Sequence, residues 1–246
     1  MLRLRQIALV AEKLAPVVDT LKDVFGIEVA FRDPGVKTFG LENAVMPIGQ
    51  QFLEVVAPIQ EKTAAGRYLE RRKGDGGYMV ILQCDEHGPV KKRVADLGIR
   101  KALEHDEDNY NIMQLHPADT GGSFLEIDVQ AGGDDLDGPW MPAGPKWQDA
   151  KTDVVRGFRA AEIQSPDPAP LAARWGEILD RPVKGGSIDL DNVTIRFVEA
   201  TDGRGEGLGG VDIAVADRDR VKKAASDRGV LDNDVVMIAG TRFRIV

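Results

Sequence analysis

One pattern occurs four times along the chain and constrains its fold more than any other feature: a short apolar strand, an amphipathic helix, a helix stop, then further strands. The first copy opens with RQIALV, continues through Leu14, Val17, Val18, Leu21 and Phe25, and stops at Gly26. The second has YMVILQC, then Val90, Val94 and Leu97, then Gly98. The third has AAEIQ, then Leu171, Trp175 and Ile178, then Asp180; the fourth has VDIAVA, then Val221 and Ala225, then Gly229. Apolar residues three and four apart bury one helix face. A glycine after the last turn takes the left-handed cap at little cost. The copies close with QFLEVVA, SFLEIDV, VTIRFVE and TRFRIV. The repeating unit is therefore βαβββ, and the chain is an α+β protein.

Strand alternation sorts the side chains into two faces. Ile7 and Leu9, Leu53 and Val55, Val80 and Leu82, and Leu125 and Ile127 form aliphatic faces that suit packing against helices. The opposite faces are mixed and would line the hollow of a curled sheet. Gln6, Glu54, Met79 and Glu126 fall in corresponding places on that hollow face, with Phe52, Ile81 and Phe124 beside them. By the same alternation Tyr78 points the other way.

The Gly-, Pro- and Asp-rich stretch 131–153 reads as a linker between domains at 1–130 and 154–246. Its Trp140 and Trp147 either pin it to a domain surface or belong to a plain tether. With 32 basic and 40 acidic residues, the chain carries a formal charge of −8. That argues against nucleic acid as a partner. No apolar run is long enough for a membrane helix. The single cysteine, Cys84, precludes an internal disulfide. MLRLRQIALV leads into a strand without a signal-peptide cleavage site, so the expected location is the cytoplasm.

The segments FLEVVAPIQEKTAAGRYLERRKGDGGYMVIL and LHPADTGGSFLEI, with the repeated modules, resemble the vicinal oxygen chelate superfamily. That superfamily includes glyoxalases, methylmalonyl-CoA epimerases, bleomycin-resistance proteins and extradiol dioxygenases. The likeness is sharpest over residues 1–130, toward the epimerase and glyoxalase branch. It implies four βαβββ modules paired into two cupped mixed sheets with helices outside. It also implies a divalent metal held by the first and last strands of each module. Glu54 follows Gln6 by 48 residues and Glu126 follows Met79 by 47, which agrees with that plan. Gln6, Glu54 and Glu126 match ligand positions, whereas Met79 stands where the family has histidine. A thioether is a poor ligand for a hard ion, and an oxygen-rich site would suit magnesium, manganese or calcium better than zinc; magnesium, manganese, nickel and zinc are the candidate ions. The expected chemistry is that of a lyase or isomerase, with Glu54 or Glu126 shuttling a proton. Without a metal, two facing glutamates would share a proton or bond to Gln6.

Other residues carry two readings each. His116 is either a base at the cup or a strand-end histidine ordering the next turn. Glu42 lies near where epimerases carry a carboxylate. Arg71, Arg72 and Lys73 either meet a CoA-like phosphate or form a solvated loop, and His87 and His105 read as surface residues. Cys84 reads as an inert core thiol. In the second half the corresponding positions are Ala160, Arg196, Val211 and Arg244, where no metal would bind and extradiol chemistry is ruled out. Glu162, Gln164, Arg196, Arg242 and Arg244 there form either an internal ion network or an anion pocket. The residues leave three readings: an enzyme working in the first cup, a protein that sequesters a small ligand, or a filled scaffold. A monomer and a homodimer are both compatible with four modules in one chain.

Overall fold

The computed structural model describes residues 1–246. The first half contains β1 (Leu2–Val10), α1 (Leu14–Phe25), β2 (Leu41–Ile48), β3 (Gln51–Pro58), α2 (Ala64–Arg72), β4 (Gly76–Cys84), α3 (His87–Asp96), β5 (Lys101–Asp106), β6 (Tyr110–Leu115) and β7 (Phe124–Gln130). The second contains β8 (Val155–Ser165), α4 (Pro168–Leu179), β9 (Val183–Lys184), β10 (Ser187–Asp189), β11 (Thr194–Glu199), β12 (Gly207–Val215), α5 (Arg218–Asp227), β13 (Leu231–Asp232), β14 (Val235–Ile238) and β15 (Thr241–Ile245). No helix is long and apolar enough to cross a membrane.

Two mixed sheets result, ordered β2-β3-β1-β4-β7-β6-β5 and β13-β14-β15-β12-β8-β11-β10-β9. In each module the opening strand pairs parallel to the closing one: β1 with β3, β4 with β7, β8 with β11, β12 with β15. A parallel pair needs a crossover, and each module's helix begins it. Two modules then join through their opening strands, antiparallel, as β1–β4 and β8–β12.

The first module departs from the repeat. It has three strands, and the missing one is reduced to a single bridge between Phe31 and Val45. Pro34 cannot donate to a ladder. Residues Pro34–Phe39 instead form a 3-10 helix, capped by Asp33 accepting from the Gly35 N–H.

The faces sort largely as alternation predicts. A core of 52 buried residues includes Ile7, Leu53, Val80 and Leu125 of the first sheet and Ile163, Val211 and Phe243 of the second. It runs through both halves, and the Phe25 and Phe243 rings meet at 5.3 Å. Cys84 is buried at its edge, and burial pushes its thiol up to about 11. The halves are also clamped. Arg72 Nη1 donates to the carbonyls of Arg204, Gly205 and Glu206 at 2.8–3.0 Å. Arg204 donates back to Arg72 O at 3.1 Å and to Gly240 O at 2.7 Å. Arg72 is 1% exposed, so it is neither a solvated residue nor a phosphate contact. Close approach of the sheets requires Gly77, where a Cβ would strike the Leu208 carbonyl.

Residues 131–153 pack against the first sheet. Trp140 and Trp147 are each 1% exposed, and both rings contact Phe52.

Candidate active site

The hollow of the first sheet encloses a cavity of about 630 Å³. Gln6 from β1, Asn43 from β2, Glu54 from β3, Met79 and Ile81 from β4, Gln114 from β6, and Phe124 and Glu126 from β7 line it. Tyr78 lines it too, against alternation. The β1–β4 register passes from Ala8–Met79 to Leu9–Gly77 and skips Tyr78, which is a bulge. A bulge re-aims its side chain. The Tyr78 ring accordingly packs edge-on against Phe124 at 5.1 Å.

Glu54 is held by two amides. Gln6 Nε2 donates to its Oε2 at 2.9 Å, and Asn43 Nδ2 donates to its Oε1 at 2.7 Å. Both amides are oriented from behind by groups that can only donate. The Trp140 indole N–H donates to Gln6 Oε1 at 2.8 Å, and the Asp33 backbone N–H donates to Asn43 Oδ1 at 2.8 Å. Each amide must therefore turn its oxygen away from Glu54 and its nitrogen toward it. Burial still outweighs these bonds and, with Glu126 nearby, pushes the Glu54 carboxyl up to about 7.

Glu126 accepts from Gln114 Nε2 at 2.8 Å, and burial raises its carboxyl as well. Beside it lies Asp128, fully buried, which accepts from the Tyr110 hydroxyl. Burial first, and Glu126 second, push the Asp128 carboxyl well above the usual carboxylate range.

A family model described as a glyoxalase-like domain matches residues 7–179, across the stretch between the two sheets. The chain belongs to the glyoxalase-like family. This places it in the vicinal oxygen chelate superfamily. No curated protein matches it. Solved structures share its fold at low identity. A mutant 4-hydroxymandelate synthase from Streptomyces coelicolor is 15% identical over 92% of this chain and 75% of its own, with a TM-score of 0.69. A hypothetical protein from Staphylococcus aureus is 12% identical over 100% and 99%, with a TM-score of 0.67. A Streptomyces coelicolor methylmalonyl-CoA epimerase variant, in complex with 2-nitronate-propionyl-CoA, is 21% identical over 52% of this chain and 97% of its own, with a TM-score of 0.47.

Superfamily members commonly use a divalent metal, and the donor set of this glyoxalase-like cup does not fit one. Gln6 would have to ligate through Oε1, but that oxygen is turned to Trp140. Its NH2 faces Glu54, and an amide N–H is no ligand. Met79 offers a thioether. No three His, Cys, Asp or Glu side chains converge where an ion could sit. Of the expected set, Gln6 and Glu54 are thus hydrogen-bonded to each other and Glu126 to Gln114, rather than turned together as a coordination shell.

Of the other sequence candidates, Met79, Ile81 and Phe124 stand on the cavity wall. Phe52 does not; it is fully buried beneath Trp140 and Trp147, because the connecting segment covers it. His116 is also away from the cavity. Its Nδ1 accepts from the Ala118 N–H at 3.2 Å, which orders the turn. Glu42 is exposed, and its neighbour Asn43 faces the site. His105 stands at the cavity mouth, bonded to Glu107 at 2.8 Å. His87 is 7% exposed rather than a surface residue, and its Nε2 meets the Ile127 carbonyl at 2.7 Å.

The second hollow of this glyoxalase-like protein is filled by side-chain ion pairs. Arg196 forks onto Asp212 at 2.6 and 2.7 Å. Arg242 and Arg244 donate to Glu162 at 2.9 and 2.6 Å. Burial raises Glu162, but the bonds from Arg244 and Arg242 outweigh it and hold the carboxyl below its ordinary value. Asp212 is absent from the sequence expectation because the offset chose Val211. In the structure Ala160 pairs with Asp212 and Glu162 with Gly210, so Gly210 corresponds to Met79. A slip of one residue exchanges the faces of a strand. Val211 lies in the helix-facing core. Arg196 and Arg244 therefore spend their donors on internal carboxylates.

Proposed function

We propose that the first cup is an active site that binds a small molecule and moves a proton on it, in an isomerase or lyase reaction. The observation that carries this reading is Glu54. A carboxyl poised near neutrality, fixed by two oriented amides on the wall of a mostly apolar cavity, is suited to take a proton and return it. Glu54 as carboxylate would remove a proton from a carbon beside a carbonyl. Glu126 stands on the same cavity with its carboxyl raised by burial, and can exchange a proton with the other end of the substrate. Tyr78, Phe124 and Ile81 keep water from the reacting carbon. No step requires a metal. A protein that only sequesters its ligand is the second reading. It is favoured by the fact that both oxygens of Glu54 already accept an amide N–H.

The two separate by hydrogen–deuterium exchange. In D2O, followed by NMR, small ketones and aldehydes should exchange protons beside the carbonyl faster with the protein than in buffer. Glu54→Gln should lose that acceleration by a factor on the order of a hundred or more, the usual scale of a general base. No acceleration, or an equal one in Glu54→Gln, would leave the sequestering reading.

A further inference from the structure

We infer that the first cup takes an organic cation, a protonated amine on a largely apolar body. This rests on the reading that the cavity is the ligand site, and it names the class of ligand the site accepts. The cavity wall contains four carboxylates, Asp33, Glu54, Glu107 and Glu126, and neither lysine nor arginine. Its one histidine, His105, is exposed and already bonded to Glu107.

The two inner carboxylates have only neutral partners. Of their four oxygens, three accept an amide N–H, from Gln6, Asn43 and Gln114. Oε1 of Glu126 accepts none and has only the Asp128 carboxyl beside it. Glu126 is 6% exposed and stands on the cavity wall. A buried carboxylate is stable when a cation neutralises it. The second hollow shows how this chain supplies such a cation when nothing else does: Glu162 and Asp212 are met there by Arg196, Arg242 and Arg244. In the first hollow the positive partner is missing, and a cavity of about 630 Å³ stands in its place.

The rest of the wall suits the body of such a molecule. Tyr78, Tyr110 and Phe124 line the interior, and Phe39 stands at the mouth, 54% exposed. Aromatic faces attract an ammonium group, and apolar walls take its hydrocarbon. An anion of the same size would meet four carboxylates and no counter-charge.

The test uses one skeleton in three charge states: 3-phenylpropylammonium, 3-phenylpropanol and 3-phenylpropanoate, titrated calorimetrically just above neutral pH at physiological salt. The ammonium should bind at least about tenfold tighter than the alcohol, and the carboxylate should give no heat. In protein labelled at the methionine methyl groups, the ammonium should move the Met79 resonance, which reports from the cavity wall. Glu54→Gln/Glu126→Gln should bring the ammonium down to the affinity of the alcohol and leave the alcohol unchanged. If that variant does not fold, the order of the three ligands and the Met79 shift decide the matter in the unaltered protein. Binding of the carboxylate, equal or tighter binding of the alcohol, no binding of the ammonium, or ammonium binding that leaves Met79 unmoved would overturn the inference. Ammonium binding without proton exchange would instead overturn the catalytic reading and leave this one standing.

Discussion

The Trp140 indole N–H donates to Oε1 of Gln6 across 2.8 Å and thereby commits the Gln6 amide nitrogen to Glu54. A side chain from the segment joining the two sheets thus decides whether a β1 residue can be a metal ligand. Trp140→Phe keeps the stacking on Phe52 and removes the donor. It should cost about 1–2 kcal/mol in urea denaturation, the scale for a buried acceptor left unpaired. Its Gln6 amide is free to turn, so manganese should raise the melting temperature of the variant more than that of the unaltered protein. An equal manganese response in both would contradict the role given to Trp140.

The raised Glu54 carboxyl has a consequence for stability. Its value is about 7 folded against an ordinary 4.5. Between those values the folded protein binds the proton that the unfolded chain has lost. Stability from this group is therefore complete below about pH 4.5 and declines as pH rises toward 7. The loss is on the order of 3 kcal/mol, at about 1.4 kcal/mol for each pH unit. Glu54→Gln removes the titration. Relative to the unaltered protein, the variant should gain stability from pH 4 to pH 8 by roughly that amount. Chemical denaturation across the range checks it; a flat or opposite difference would count against it.

Much of this site was legible in the residues. Alternation alone put Glu54, Glu126, Met79 and Gln6 on one hollow face, because a half-buried strand has a strict period of two. The same rule failed at Tyr78, where a bulge breaks the period, and at Val211, where a one-residue slip hid Asp212. Both errors come from backbone irregularities that no side-chain pattern announces. Asn43 was missed for another reason. Its role depends on the Asp33 N–H behind it, ten residues away and brought near by the 3-10 turn that replaces a strand. Trp140 was visible as an anchor, but its partner was not.

The Arg72–Arg204 clamp and the shared core make a prediction about cooperativity. Arg72 is buried and bonds three carbonyls of the other half, while Arg204 returns a bond to the Arg72 carbonyl at the end of α2. Arg72→Met and Arg204→Met should each destabilise by about 1–3 kcal/mol, since each leaves part-buried carbonyls unpaired. The double variant should cost less than the sum, because the two residues share partners. Urea unfolding should remain a single transition in all of them. Two separate transitions would show that the halves at 1–130 and 154–246 are independent domains.

In the second hollow every arginine fork has a carboxylate. Arg196→Met should therefore lower stability by about 1–2 kcal/mol, discounted for its partial exposure, by leaving Asp212 with only the Arg244 guanidinium at 3.6 Å. Sulfate or phosphate should raise the melting temperature no more than chloride at equal ionic strength. A specific, saturable rise with phosphate that is lost in Arg244→Met would restore the anion-pocket reading.

The most direct test of the account is the titration of Glu54 itself. Glutamate labelled with carbon-13 at Cδ, with the Glu54 resonance assigned by its loss in Glu54→Gln, would be followed by NMR across the pH range. The account predicts a midpoint near 7, with Trp140→Phe shifting it. A midpoint at or below the ordinary 4.5 would mean that Glu54 is a fixed carboxylate, and the proton-transfer reading of this cup would fall with it.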